Sequence, residues 1–290
     1  LLLTLQEKDE GLIVLNFMER IDKVSKEYWD SGWEVLGLPP AVDVERGLLK
    51  NPIPRRFHEL FTQIFSGLQT AEGKLLEIGC AASVWLPYFA KEFGFQIFGV
   101  DYSEKGCRLA KRILDREKVK GTIICADFFN PPESMLEMFD VVYSSGVAEH
   151  FDPIERALIA FDQFLKPGGI MITIVPNMVG SIGFIQKWLN RPVYDIHVRV
   201  SNTQLAMAHE RIGLSVKSCQ YFISTDFSVS NLNGLPNGLA LQLKRTLLRA
   251  LIQFSKGVWL FENIVGELPT TRFFSAYIVC VAQKQHQNKD

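Results

Sequence analysis

From residue 74 onward, short apolar runs alternate with amphipathic stretches. The runs at 74–79, 96–101, 122–127, 139–145 and 170–175 read as strands, and the gaps between them as helices. That alternation predicts a parallel sheet with helical crossovers on both faces. Leu214–Ile223 and Ala276–Gln283 read as a sixth and a seventh strand. Boundary residues sharpen the helices. Ser103 suits the cap of a helix reaching Arg116. Asp152, Pro153 and Glu155 fit the N-cap, first and third positions of the next helix, which Lys166-Pro167-Gly168-Gly169 should stop. A helix is expected over about 181–190. Another, capped by Ser201 or Asn202, should run to Arg211, with Gly213 ending it.

The flanks have a different texture. Residues 10–70 read as helical with breaks, one of them at Leu38-Pro39-Pro40, and Arg55–Phe65 gathers Phe57, Leu60, Phe61, Ile64 and Phe65 on one side. This predicts an N-terminal helical cap over 1–70 and a main domain over 71–290. Residues 224–275 are far too long for a hairpin turn and read as an inserted helical element. On a helical wheel Leu243, Leu247, Leu251, Phe254 and Val258 share one side, opposite Arg245, Arg249, Gln253 and Lys256, with Lys244 on the apolar side. The element is read first as a lid over an acceptor, then as a homodimer interface, then as a membrane-surface helix.

Composition narrows the picture. The chain has 290 residues, 47% hydrophobic and 22% charged, with a formal net charge of -1, so overall charge favours neither nucleic acid nor an anionic membrane. Its five cysteines are odd in number and scattered, which fits neither a disulfide framework nor a zinc site and suggests a reducing cytoplasm. No run of about 18 apolar residues predicts a membrane span. Leu1–Leu5 is apolar but too short, and lacks the basic flank, for a signal peptide.

The chemistry lies at the expected strand ends. Glu77, Asp101 and Asp127 close the first three strands, where open α/β sheets bind ligands. A dinucleotide site needs glycines at three fixed positions of the first turn; here only Gly79 is present, with Ala81 and Val84 at the other two. Glu77 would also repel a pyrophosphate. Asp101 lies 22 positions after Gly79, the spacing of a ribose-binding carboxylate. Asp127 suits an exocyclic amine, and Phe128 and Phe129 could pack on a base. The row fits a nucleoside without phosphates that carries a cationic head.

Four stretches carry a family resemblance: Leu75-Leu76-Glu77-Ile78-Gly79-Cys80, Gly99-Val100-Asp101-Tyr102-Ser103, Phe139–Tyr143 with Gly146–Phe151, and Leu165–Gly169. In this order and spacing the chain resembles a class I S-adenosylmethionine-dependent methyltransferase of the small-molecule type, over roughly residues 72–222 and the last strand. The resemblance implies a Rossmann-like seven-stranded, mostly parallel sheet and S-adenosylmethionine as cofactor. It implies Gly79 beneath the methionine portion with Cys80 beside it, Glu77 near the amino group, Asp101 on the ribose and Tyr102 flanking the adenine. Asp127 would accept from the adenine amine with Phe128 alongside, and Ser144 and Ser145 would line the methionine side.

His150, after the fourth strand, and His197, before the helix near Ser201, are the candidate bases. Glu149 could orient His150 or cap the next helix. His58 and His209 read as helix-surface residues, and no metal-ligand spacing stands out. Aromatic residues including Tyr28, Trp29, Trp33, Phe184 and Trp188 suggest an apolar acceptor, a natural-product type of small metabolite methylated on oxygen or nitrogen. The alternatives are a non-catalytic nucleoside-binding scaffold and an NAD-dependent oxidoreductase. Methylation of nucleic acid is disfavoured, because the fourth strand ends Ser144-Ser145-Gly146-Val147 without the Asn/Asp-Pro-Pro-aromatic tetrapeptide.

Overall fold

The structure is a computed structural model that describes residues 21–35 and 37–286. The part of the N-terminal cap expected before residue 21 lies outside the described residues. A short strand β1 (Ile21–Asp22) precedes α1 (Lys26–Val35) and α2 (Pro52–Phe65). The alternating region follows as β2 (Lys74–Ile78), α3 (Trp85–Phe93), β3 (Gln96–Asp101), α4 (Glu104–Glu117), β4 (Thr122–Cys125) and β5 (Phe139–Ser145). After it come β6 (Phe151–Asp152), α5 (Glu155–Asp162), β7 (Leu165–Pro176), α6 (Ser181–Leu189), α7 (Arg191–Asp195) and α8 (Asn202–Arg211). The chain continues through β8 (Leu214–Phe222), α9 (Leu239–Val265) and β9 (Tyr277–Lys284).

The seven-stranded sheet has the order β4-β3-β2-β5-β7-β9-β8. The first five of these are parallel; β9 runs antiparallel to both β7 and β8. Chain order reverses at β2, which has β3 on one side and β5 on the other, so a crevice opens at the ends of these strands. The strands are short apolar runs because both faces are covered. One face packs Phe139, Phe161, Phe164 and Leu158. The other packs Phe61, Phe89, Leu75 and Ile172.

α2 starts three residues before Arg55. Asn51 Oδ1 accepts from Ile53 N (3.0 Å), and Pro52 occupies the first turn, where a missing N–H costs nothing. Its apolar side is buried at Phe57, Leu60, Phe61 and Phe65, as the periodicity predicts. Phe61 meets Phe89 edge-on at 4.9 Å and Tyr143 at 5.8 Å. Arg55 and Arg56 pair with Glu59 (2.8 Å) and Glu267 (2.7 Å). Ser103 and Ser201 cap α4 and α8; the second makes a full capping box with Gln204.

Four expectations are corrected. Asp152 does not cap α5: it pairs with Ile21 in an antiparallel β1–β6 ribbon, and the helix begins after Ile154. α5 also ends at Asp162, four residues before Lys166-Pro167-Gly168-Gly169; that tetrapeptide instead forms an irregularity at the start of β7, where the register to β5 shifts. His209 is fully buried, its Nδ1 against Leu205 O (2.8 Å) and its Nε2 against Thr173 Oγ1 (3.0 Å), because α8 lies on the sheet. His58 is half-buried, with Nδ1 2.8 Å from Tyr88 OH.

The inserted element contains α9. It is one helix of 27 residues, but its buried line runs through Leu241, Ser255, Trp259 and Glu262. The apolar side of the wheel leaves Leu243 63% and Phe254 60% exposed. The true anchors are polar as much as apolar: Trp259 Nε1 donates to Thr225 O (2.8 Å), and Ser255 Oγ accepts from Phe227 N (3.0 Å). Among the described residues no helix is long and apolar enough to cross a membrane.

Candidate active site

The crevice at the reversal point holds a cavity of about 630 Å³, measured out to its open mouth. Gly79, Asp101, Tyr102, Phe128, Ser145 and His150, all expected site residues, line it. Asp22, Trp29, Trp33, Gly146, Val147 and Phe151 complete the wall. No residue of 224–275 is part of the lining.

β2 supplies the floor. After Ile78 the chain turns at Gly79, whose φ of +75° is a left-handed conformation open to glycine. A side chain there would also collide with Val147, its Cβ 2.5 Å from Cγ2. Glu77 sits inside β2 rather than beyond its end, in register with Gly99 on β3 and Tyr143 on β5. It is 3% exposed, and its Oε2 has no hydrogen-bond partner among the described residues. Burial pushes its carboxyl up to about 8, with nearby Asp101 adding to the rise and the Ser83 hydroxyl opposing it. A buried oxygen left in this state is costly unless a ligand supplies a donor.

Asp101 ends β3 and is 7% exposed. Oδ1 accepts from Ser103 N (2.8 Å) and Oδ2 from Ala81 N (3.2 Å). Burial pushes its carboxyl up to about 6 although these two amides pull it down, and Asp30 adds to the rise. The amides fix the carboxylate plane and leave each oxygen a second lone pair for hydroxyl donors.

α1 forms the outer wall. Ser103 Oγ, while accepting from Gly106 N, also donates to Asp30 of α1, so one hydroxyl caps α4 and ties α1 down. Lys23 N donates to His150 O (3.0 Å), continuing the β1–β6 ribbon. Trp29 and Trp33 stack with centroids 5.8 Å apart, and Trp29 meets the His150 ring edge-on at 5.2 Å.

His150 closes the short turn Ala148–His150 and is 5% exposed. Its Nδ1 lies 3.1 Å from Ile196 O, which assigns the proton to Nδ1 and the lone pair to Nε2. Burial, then the neighbouring His197, pushes it down to about 3, so the ring is neutral near pH 7. His197 stands behind it, ring centroids 4.8 Å apart, with Nδ1 2.6 Å from Val193 O. Burial lowers its basicity as well. Glu149 is buried, its Oε2 without a hydrogen-bond partner among the described residues, and burial pushes it up to about 8. One ligand atom each from Glu149, His150 and His197 lies within 4.8 Å of the others, a spacing a divalent cation could close. No sequence spacing announces this cluster, because a turn and a loop after α7 bring it together.

The other expected residues stand further back. Cys80 is fully buried and Ser144 1% exposed, its Oγ unpartnered; neither is among the lining residues. Asp127 is two residues past the end of β4, not on it. Its Oδ1 accepts from Phe129 N (3.0 Å), folding the turn that seats Phe128 in the wall. Trp29 and Trp33 were legible as aromatics near an acceptor. Asp22 carries no sequence signal.

Residues 76–173 match the model of the methyltransferase domain family. The ubiquinone biosynthesis O-methyltransferase of Nitrobacter winogradskyi is 26% identical over 209 residues, 69% of this chain and 77% of that protein. In fold, the chain is similar to a putative methyltransferase solved with the Trm112 activator of Haloferax volcanii, with a TM-score of 0.56 at 15% identity, over 91% of this chain and 97% of that one. It is also similar to the geranyl diphosphate C-methyltransferase of Streptomyces coelicolor, solved with Mg2+, geranyl diphosphate and S-adenosyl-L-homocysteine, with a TM-score of 0.56 at 14% identity, over 89% and 97%. A crevice at the carboxyl ends of the strands thus occurs together with a methyltransferase domain matched over residues 76–173, and domain match and fold together support a class I S-adenosylmethionine-dependent methyltransferase with S-adenosylmethionine as cofactor.

Proposed function

We propose that the protein methylates a hydroxyl oxygen of a small, largely apolar acceptor. The observation that carries this reading is His150, a buried imidazole in the cavity wall whose Nδ1 is committed to Ile196 O, leaving Nε2 as a lone pair. S-adenosylmethionine supplies a methyl group activated on a sulfonium sulfur. Asp101 would hold the ribose hydroxyls, Glu77 the amino group through its unpartnered oxygen, and Tyr102 and Phe128 the adenine. Gly79 lets the backbone approach, and Ser145 lines the methionine side. His150 Nε2 would take the hydroxyl proton, with His197 positioning the ring from behind. Trp29 and Trp33 would exclude water and offer the acceptor an apolar wall. The name of the relatives, ubiquinone biosynthesis O-methyltransferase, favours oxygen over nitrogen and a hydroxylated acceptor of that biosynthetic kind.

A second reading rests on the Glu149, His150 and His197 cluster: a divalent cation held there would polarise the hydroxyl in place of a base. Incubating the protein with isotopically labelled methyl donor and hydroxylated apolar compounds, read by mass shift, tests the reading. Methylation confined to amines, or none with any acceptor despite donor binding, overturns it. Activity abolished by a chelator and restored by Mg2+ selects the second reading.

A further inference from the structure

α9 turns a long apolar stripe to solvent. Leu243, Leu247, Phe254, Phe261 and Ile264 are 63%, 36%, 60%, 52% and 68% exposed. With Ala250 and Gly257 between them they recur every four and three residues, along about 31 Å of helix at 1.5 Å per residue. The helix is held to the body by the opposite face, through Leu241, Ser255, Trp259 and Glu262. Exposed Arg245, Arg249 and Lys256 lie on the polar side of the helix, more than a right angle round from the stripe. From 227 to 261 the chain has no Asp or Glu. α6 adjoins the same helix, for Lys244 Nζ donates to Leu189 O (2.7 Å), and it carries Phe184 and Trp188, 70% and 60% exposed, with exposed Lys187 between them.

We propose that this face of α9 docks the protein on an anionic lipid bilayer, lying parallel to the surface. The geometry is that of an interfacial helix: an apolar stripe that can enter the boundary between headgroups and chains, and a basic polar side whose long side chains reach back towards the lipid phosphates. Two other occupants fit less well. A lid would turn its apolar side to the cavity, and the lining contains nothing from this segment. A second copy of the helix would find no carboxylate between 227 and 261 to pair its cations.

The test is cosedimentation of the full chain with phosphatidylcholine vesicles, with and without one-third phosphatidylglycerol. The wild type should bind the mixed vesicles at least tenfold more tightly than the neutral ones, and weaken with salt. The combined Leu243→Gln, Phe261→Gln and Ile264→Gln variant, altered only at exposed positions, should lose at least tenfold while keeping its S-adenosylhomocysteine affinity. Arg245→Gln with Arg249→Gln and Lys256→Gln should abolish the preference for anionic lipid. The proposal is overturned if the apolar variant sediments like the wild type, if the wild type binds neither vesicle, or if light scattering finds a dimer that the apolar substitutions dissociate.

Discussion

Replacing Glu77 by glutamine separates burial from ligand binding at one carboxyl. In the folded protein this group stays protonated up to about 8, against an ordinary value of 4.5. Because its folded value is raised, its contribution to stability is complete at acid pH and is lost as pH rises through 8. Linkage with these two values makes the ligand-free protein about 2–3 kcal/mol less stable at pH 9 than at pH 6 through Glu77 alone. For a chain of this size that is roughly 5–8 °C in melting temperature. Glu77→Gln should remove that part of the fall. The same variant should bind S-adenosylhomocysteine more weakly, since a neutral amide cannot form a charged pair with an amino group; the loss is about 1.5–3 kcal/mol, or roughly 10- to 150-fold. Wild-type affinity should rise between pH 6 and 8.5, and calorimetry at pH 7 in two buffers of different ionisation enthalpy should show proton release on binding. A Glu77→Gln variant that binds as tightly as the wild type, with the same pH dependence, refutes the assignment.

Asp101→Ala should raise the dissociation constant for S-adenosylhomocysteine by roughly tenfold or more, measured by calorimetry, because the ribose hydroxyls lose a charged acceptor. His150→Ala should lower kcat at least a hundredfold while cofactor affinity stays within about threefold; loss of cofactor binding would make the residue structural instead. Phe61→Ala should cost about 3–5 kcal/mol in urea unfolding, since the ring is fully buried among Phe57, Phe65, Phe89 and Tyr143. His209, held neutral down to about 4 by burial, stabilises the fold above pH 6.5. That contribution should fade as pH falls from 6.5 towards 4, and His209→Gln should blunt the fall in melting temperature over that window.

What the sequence made legible follows physical period and punctuation. The strands that carry Glu77 and Asp101 are apolar runs bounded by turns, and Ser103 and Ser201 stand at helix starts with their partners three residues on, so both kinds of signal are local. Asp152 was misread because its partner, Ile21, is 131 positions away, and pairing across that distance outweighs a local capping preference. His209 follows the same logic: nothing near it in sequence announces Thr173, the hydroxyl that satisfies it. On α9 the apolar periodicity is real, but it marks the face turned to solvent. Ser255, Trp259 and Glu262 anchor the helix by hydrogen bonds that a hydropathy pattern does not register. Of the cavity lining, Gly79, Asp101 and Ser145 are legible from their positions at strand ends, whereas Asp22 and the alignment of Glu149 with His197 depend on loops folding back.

β9 lies between β7 and β8, although it is synthesised after both. Until residues 277–284 emerge from the ribosome, both neighbours carry an unpaired edge, and that half of the sheet has no middle. Residues 22–176 already contain five adjacent parallel strands and every residue that lines the crevice, so this half can be assembled while the other waits. Translation therefore passes through a stage in which the crevice lining is complete and two open edges invite pairing with other chains, a window that a ligand of the crevice or a chaperone can shelter.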